Sequence, residues 1–430
     1  MNVLIVGGGG REHALAWKLS QSRKVTALYA APGNPGMEDV ACRVPLQTSG
    51  EGIDKIVEFA VKESVGLVVV GPEGPLALGL ADRLAGRGIL CFGPGAKGAR
   101  LESSKIYAKE FMDRHHIPTP AWRSFSALDE AKRCLSDLPD APVVVKADGL
   151  AQGKGVIVAK NRAEALSAAE KIMDGRFGEA GRKILVEECL VGEEISLLSF
   201  ADGKTLIPML PVQDHKQIGE GDTGPNTGGM GTYAPVSAFS AETARTVEET
   251  ILRPLRTALR SGEFDYRGCL YIGLMLTSEG PRVIEFNVRF GDPETQALMP
   301  LLDSDLFEIM HACAAGRLEE ARPPEWRDES AVCVVMASQG YPGEYSVGRV
   351  ITERPVAEEL ARDSWVFHAG TSRDARGGLT TAGGRVLGVT ARGKTLETAL
   401  KRVYARVDSI DFREKTYRRD IAYRELTRRS

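Results

Sequence analysis

The chain opens on an apolar run, "VLIV", breaks into glycine and polar residues, and then repeats the exchange. Up to about residue 95, the short apolar runs "VLIV", "VTALYAA", "GLVVV" and "ILCFG" alternate with amphipathic stretches, "REHALAWKLSQS", "IDKIVEFAVKES" and "PLALGLADRLAGRG". Short β-branched runs separated by helix-period segments predict βαβ units on a parallel sheet. Ligands of such a sheet lie beyond the carboxyl ends of its strands. The turns "GGGGRE", "APGNPG" and "GPEGP" fall there, so the three are expected to share one crevice.

The pattern then changes. A helix-like "ALDEAKRCLSDL" leads to the strand "PVVVKAD", a glycine loop, the strand "VIVAK", the helix-like "RAEALSAAEKIMDG" and the strand "KILVEECL". That order predicts a small α+β unit with a glycine-lysine loop between two strands. From Glu194 to Glu294 the chain reads largely as antiparallel strands, interrupted by "TGPNTGGMGTYAP" and by a long helix from about Ala241 to Arg260. A last unit begins near Ser330 with "AVCVVMAS" and includes "GGRVLGVT"; it shows no catalytic constellation of its own. No internal repeat or low-complexity segment occurs.

A length of 430 residues predicts several folding units, and a formal net charge of −3 advertises neither nucleic acid nor an anionic membrane as partner. A small-molecule partner is expected. The arginines of "FREKTYRRDIAYRELTRRS" interleave with acids, the pattern of a solvated helix. Seven cysteines, without a C-x-x-C pair, offer no zinc site or disulfide framework and read as buried thiols in a reducing compartment. With no basic leader and no apolar run of about 18 residues, a cytoplasmic protein is expected.

The first glycine-rich turn, "GGGGREHA", invites a dinucleotide reading, which fails twice. The third glycine of G-x-G-x-x-G would fall on Glu12 or His13, and the second strand ends in Ala30, Ala31 and Pro32, with no acid for a ribose. An NAD-dependent dehydrogenase is thereby disfavoured. A helix N-terminus with Gly8, Gly9, Gly10 and Arg11 instead suits a lone phosphate, the alternative being a ligand-free tight turn. In "KADGLAQGKGV", the lysines Lys146 and Lys154 and the glycines Gly149, Gly153 and Gly155 suit phosphate oxygens, although Gly155 stands where a Walker A motif needs a hydroxyl. "VEECLVGEE" pairs an exposed backbone stretch, suited to a base, with carboxylates suited to ribose hydroxyls. In "RVIEFNVRFGDPET", Glu285, Asn287 and Arg289 alternate along one strand face: two hard oxygen donors for Mg²⁺ beside a cation.

Together these segments resemble the ATP-grasp enzymes, which activate a carboxylate as an acyl phosphate. The ordered set "GGREHA", "APGN", "GPE", "KADGLAxGKGV", "QDHK", "DTGPNTGGMG", "IEFNxRFGDPETQ", "GYPG" and "FHAGT" covers nearly the whole chain and is similar to one branch of them, the ligases that join glycine to 5-phosphoribosylamine. The resemblance implies an α/β and α+β multidomain fold. Its parts would be an N-terminal parallel-sheet domain (1–103), an ATP-grasp domain (104–325, lid about 122–192) and a small C-terminal α+β domain (326–430). It implies C–N bond formation through glycyl phosphate, with ATP and Mg²⁺ (or Mn²⁺), in a monomer. Lys105, Lys146 and the loop Gly149 to Gly155, with Lys154, match the ATP-phosphate groups. Glu187, Glu188 and Leu190 match the adenine hinge, and Glu194 the ribose carboxylate. Glu285 and Asn287 match the metal ligands, and Arg289 the cation at the acyl-phosphate centre. Asp214 would orient the amine, with His215, Lys216, Asn226 and Thr227 around it, while Asn34 and Glu73 would line the phosphate crevice. The strand "YIGLM" lacks a metal carboxylate that many ATP-grasp enzymes place there, leaving a second metal site open. Another ATP-grasp ligase or carboxylase, and a non-catalytic nucleotide-binding module, are the competing readings.

Overall fold

The computed structural model describes residues 1–151 and 155–429, the last without its side chain. Its first sheet is parallel, with strands in the order Cys42–Arg43, Ala27–Pro32, Asn2–Gly7, Val65–Val70, Leu90–Phe92. Along the central strand, Leu4 and Val6 enter one core cluster while Val3 and Ile5 enter another. Both faces are covered, which is why these strands read as unbroken apolar runs rather than alternating ones. The order reverses beside Asn2–Gly7, so the turns at Gly7–Gly10, Gly33 and Gly71 converge at the carboxyl end of the sheet, Gly33 N–H bonding Gly7 O and Gly71 N–H bonding Val6 O. The stretch "PLALGLADRLAGRG" contributes to two short helices, Glu73–Ala77 and Leu80–Ala85, because the chain breaks at Gly79, whose φ of +79° is one glycine adopts without strain.

The glycine-lysine unit is a four-stranded antiparallel sheet, in the order Trp122–Phe125, Ile184–Glu188, Val143–Ala147, Val156–Ala159. Helices Leu128–Asp137 and Arg162–Met173 pack on it around a core of its own, including Ala131, Leu135, Val145, Ala165 and Ile172. A separate core suits a part that moves as a body. The adjoining sheet runs Leu206–Pro208, Glu193–Ala201, Gly268–Thr277, Gly280–Asn287. The helix expected from Ala241 to Arg260 is present, with a π-helical turn at Glu248–Leu252 inside it.

The third large sheet joins distant parts of the chain. Strand Gln213–Asp214 pairs with Gly231–Ala234, which pairs in turn with Ser330–Ser338, and the sheet continues through Arg385–Gly393 to Ser364–His368. The C-terminal unit is therefore hydrogen-bonded into the segment carrying "QDHK" and "GPNTGG", and does not hang as a separate module.

Candidate active site

One cleft of about 660 Å³ lies between these parts, lined from all three regions of the chain. Its floor is the strand Gly280–Asn287. Asn287 Nδ2 lies 3.4 Å from Glu285 Oε1, so the two expected ligand residues are neighbours, with the Asn287 oxygen turned to Arg289. Burial opposes the charge of Glu285, but Lys216, Lys146 and Lys105 pull its pKa down to about 2. An ionised carboxylate beside a carboxamide, both facing a cleft of lysines, fits a hard divalent cation that also takes phosphate oxygens. Among the described residues no group of three or more His, Cys, Asp or Glu side chains could hold a metal ion.

Arg289 follows the end of that strand. Its guanidinium reaches Glu102 (3.0 Å), Glu73 (3.4 Å) and Asn287 Oδ1 (3.1 Å). Burial works against its charge, and Glu102 and Glu73 outweigh burial, so the cation is fixed. Glu102 is pushed above the usual carboxylate range by burial, only partly countered by Arg289.

Lys105 is placed by a helix start. Ser104 caps the helix Lys105–Arg114 by accepting from Tyr107 N–H, and Asp148, just past the strand Val143–Ala147, accepts from Ile106 N–H at 2.8 Å while its carbonyl takes Lys105 N–H at 3.0 Å. The lysine thus meets the glycine loop, its Nζ 3.3 Å from Gly149 O. Lys146 projects from its strand onto Glu187 (2.8 Å), and Lys109 shares that carboxylate (3.4 Å). Burial pushes Lys109 down to about 8. The other oxygen of Glu187 is buried without a hydrogen-bond partner, at the wall that Glu188 and Leu190 continue. Glu194 pairs with Lys216. Leu150, Ala151 and Gly155 line the same side, whereas Gly153 and Lys154 lie outside the described residues.

Asp214 also lines the cleft, one oxygen buried and unpartnered. Burial, and then Glu294, raise it well above the usual carboxylate range. Lys216, Asn226, Thr227, Glu73 and Arg11 line the same cleft.

Of the described residues, six expected ones do not line the cleft, among them Gly149, whose carbonyl nevertheless accepts from Lys105 Nζ. His215, just past the strand Gln213–Asp214, is fully buried, its Nε2 accepting from Ala422 N–H at 2.9 Å. Asn34 is spent on packing: its amide donates to Gly8 O (2.9 Å) and His368 O (2.7 Å), and its oxygen accepts from Gly36 N–H (3.0 Å). Gly8, Gly9 and Gly10 do not line the cleft either. A Cβ on Gly8 would stand 2.7 Å from Gly33 O, one on Gly10 2.5 Å from Gln296 Nε2, and Gly9 N–H is taken by the Glu12 carboxylate at 2.6 Å. These glycines let loops approach closely; of that turn, Arg11 reaches the cleft.

Other cleft residues escaped the sequence reading. Lys109 sits one helical turn after Lys105, a spacing that could have revealed it. Asp292 and Glu294 lie inside the quoted "GDPET". Tyr271 and Ser196 hydrogen-bond Glu294 Oε1 at 3.1 and 3.2 Å. Tyr341 of "GYPG" and Arg385 of "GGRV" come from the C-terminal unit; Tyr341 OH accepts from Gly228 N–H, and Arg385 binds Gly228 O and Asp292 O.

Comparison with known proteins places this geometry. Models described as the N domain, ATP-grasp (A) domain and C domain of phosphoribosylglycinamide synthetase match residues 1–102, 103–295 and 331–424. The chain is 48% identical over its full length to the whole phosphoribosylamine–glycine ligase of Phenylobacterium zucineum. Its structure resembles that of the Thermotoga maritima phosphoribosylamine–glycine ligase at a TM-score of 0.83, with 32% identity over 98% of this chain and 100% of that one. The fold alone is shared, at a TM-score of 0.73 and 17% identity over 97% of this chain and 91% of that one, with a biotin carboxylase domain from Hydrogenobacter thermophilus solved with MgADP. With three cleft walls drawn from three matched domains, the chain belongs to the phosphoribosylglycinamide synthetase family of ATP-grasp enzymes.

Proposed function

We propose that this cleft joins glycine to 5-phosphoribosylamine at the expense of ATP, forming glycinamide ribonucleotide, ADP and phosphate in purine synthesis. The observation that carries the residue-level reading is convergence: Lys105, Lys146, Glu285, Asn287 and Arg289 face one space with Arg11 and Glu73 of the glycine-rich domain.

The adenine lies along Glu187, Glu188 and Leu190, the ribose meets Glu194, and Lys105 and Lys146 hold the phosphates, with Leu150, Ala151 and Gly155 lining the same cleft. Glu285 and Asn287 would hold Mg²⁺ or Mn²⁺, which, when bound, neutralises phosphate charge. A carboxylate is a poor acyl donor. Transfer of the γ-phosphoryl group to a glycine oxygen makes that oxygen a leaving group, and Arg289 stabilises the charge that develops. The amine nitrogen then attacks the acyl carbon and phosphate departs with the C–O bond electrons. Asp214 orients the amine beside Lys216, Asn226 and Thr227. The substrate phosphate is seated by Arg11 and Arg385, which both face Asp292, rather than on Gly8, Gly9 and Gly10 themselves. The lid closes on ATP and excludes water that would hydrolyse the acyl phosphate. The enzyme works as a monomer in the cytoplasm; no helix among the described residues is long and apolar enough to cross a membrane.

The test is ADP release in Mg²⁺ buffer, with glycine and freshly made phosphoribosylamine added singly and together. Release that requires both substrates is expected. Release that ignores either one refutes the reading.

A further inference from the structure

The hairpin Gln217–Gly219 and Thr223–Asn226 joins Lys216 to Asn226 and Thr227 of the cleft. It has little to stand on. Residues 223–226 are exposed, residues 217–219 are only half-buried, and an isolated two-stranded hairpin is marginal in water. Its position must come from elsewhere.

The contacts that supply it run to residues 418–424. Arg418, 1% exposed, donates to both oxygens of Asp420 (2.8 and 2.7 Å), to Asp222 Oδ1 at the hairpin tip (2.7 Å), and to Gln217 O at its root (3.1 Å). Asp420 in turn accepts from Gly221 N–H (2.8 Å), and Arg419 N–H donates to Glu220 (3.1 Å). Asp222 also accepts from Tyr423 OH (2.7 Å) and pairs with Arg424. Two residues of this junction, Asp222 and Ala422, have φ of +53° and +68° without being glycine. Such conformations persist where the surroundings over-determine them, and Ala422 N–H is held by the buried His215. The ring misassigned to substrate thus belongs to the same clamp.

We propose that Arg418 is a positioning residue for the amine side of the cleft, locking the 217–226 hairpin to the C-terminal segment so that Lys216, Asn226 and Thr227 meet the substrate in register. Arg418 touches no reacting atom. Its removal loosens one wall while leaving Lys105, Lys146 and Glu187 on separate elements. The inference rests on the reading of this wall as the phosphoribosylamine side.

The test compares Arg418→Gln, Arg418→Lys and Tyr423→Phe with the unaltered full chain, measuring steady-state kinetics for phosphoribosylamine and the Kd of a non-hydrolysable ATP analogue. In Arg418→Gln, kcat/KM for the amine is expected to fall at least tenfold, with the analogue Kd within threefold. Arg418→Lys, which restores the charge without the fork, recovers part of the loss. An amine kcat/KM within threefold of the unaltered protein overturns the proposal, as does an equal loss of nucleotide affinity. If Arg418→Gln does not fold, Tyr423→Phe decides, since it removes one hydroxyl from Asp222: a loss confined to the amine supports the clamp, and no loss overturns it. Were the unaltered protein itself indifferent to the amine, the functional reading would fail and take the clamp with it.

Discussion

Replacing Arg289 with glutamine separates the catalytic role proposed for this residue from its part in the fold. The guanidinium stands 3.0 Å from Glu102 and 3.4 Å from Glu73, with side-chain exposures of 19%, 9% and 28% respectively. Removing one partner of a buried ion pair leaves an uncompensated charge, at about 3–5 kcal/mol. Because neither Glu73 nor Arg289 is fully buried, the lower end, about 3 kcal/mol, is expected here. Losing a donor aimed at developing charge costs roughly a hundred- to a thousandfold in kcat.

The two effects part with pH. Glu102 already sits above the ordinary carboxylate range because of burial, and loss of Arg289 drives it higher. A folded state that binds a proton more tightly than the unfolded chain gains stability as pH falls. The stability deficit of Arg289→Gln should therefore shrink between pH 7 and about 4.5, close to the unfolded carboxylate value. Urea unfolding across that range reads stability; amine- and glycine-dependent ADP release at neutral pH reads catalysis. A folded variant with kcat within threefold of the unaltered protein, or a deficit that grows on acidification, would refute the reasoning.

The buried ring of His13 and the half-buried ring of His368, pushed by desolvation down to about 3 and about 4, should each destabilise the fold by about 1.4 kcal/mol per pH unit below about pH 6.5, because only the unfolded chain then takes the proton. Melting temperatures from pH 8 to 5 should show this slope, reduced in His368→Gln; an unchanged slope counts against it. Chelation should abolish ADP release, and Mg²⁺ or Mn²⁺ should restore it. Glu285→Gln should raise the metal concentration needed for half-maximal rate at least tenfold, and an unshifted metal titration would remove Glu285 from the site. Gly9→Val puts a Cβ 2.8 Å from the carboxylate of Glu12, the partner of Arg11, and by disturbing Arg11 should raise KM for phosphoribosylamine with little change in ATP-analogue affinity; equal losses would contradict it.

The parallel sheet was readable because both of its faces are buried, so each strand announces itself as an unbroken apolar run. Which residues of a motif face the cleft was less readable. In "QDHK", alternation along extended backbone puts Asp214 and Lys216 on one side and His215 on the other, and the structure follows that alternation. Motif membership alone had grouped all three. The turn "GGGGREHA" misled differently: glycines that admit a phosphate also admit a neighbouring loop, and Gly33 O and Gln296 fill that role. Arg385 and Tyr341 were invisible as site residues because their cleft contacts are to Gly228 and Asp292, more than 90 positions away along the chain.

The charge pairing inside the cleft explains why such a cationic set can stay folded without its ligands. Lys146 rests on Glu187, Lys216 on Glu194, Arg289 on Glu73 and Glu102, and Arg385 on Asp292. Each of these four cations has its counter-charge and carries no unpaired desolvation penalty, whereas burial lowers the pKa of Lys105, whose Nζ bonds Gly149 O. The same pairing means that an incoming triphosphate does not meet a field of free positive charge; it must compete with carboxylates already in place. A divalent cation held at the proposed ligands Glu285 and Asn287 would tip that competition, since a hard cation strengthens phosphate binding without displacing any lysine from its partner. On the proposed function, a metal requirement would then follow from how the resting cleft is balanced as well as from the chemistry of phosphoryl transfer.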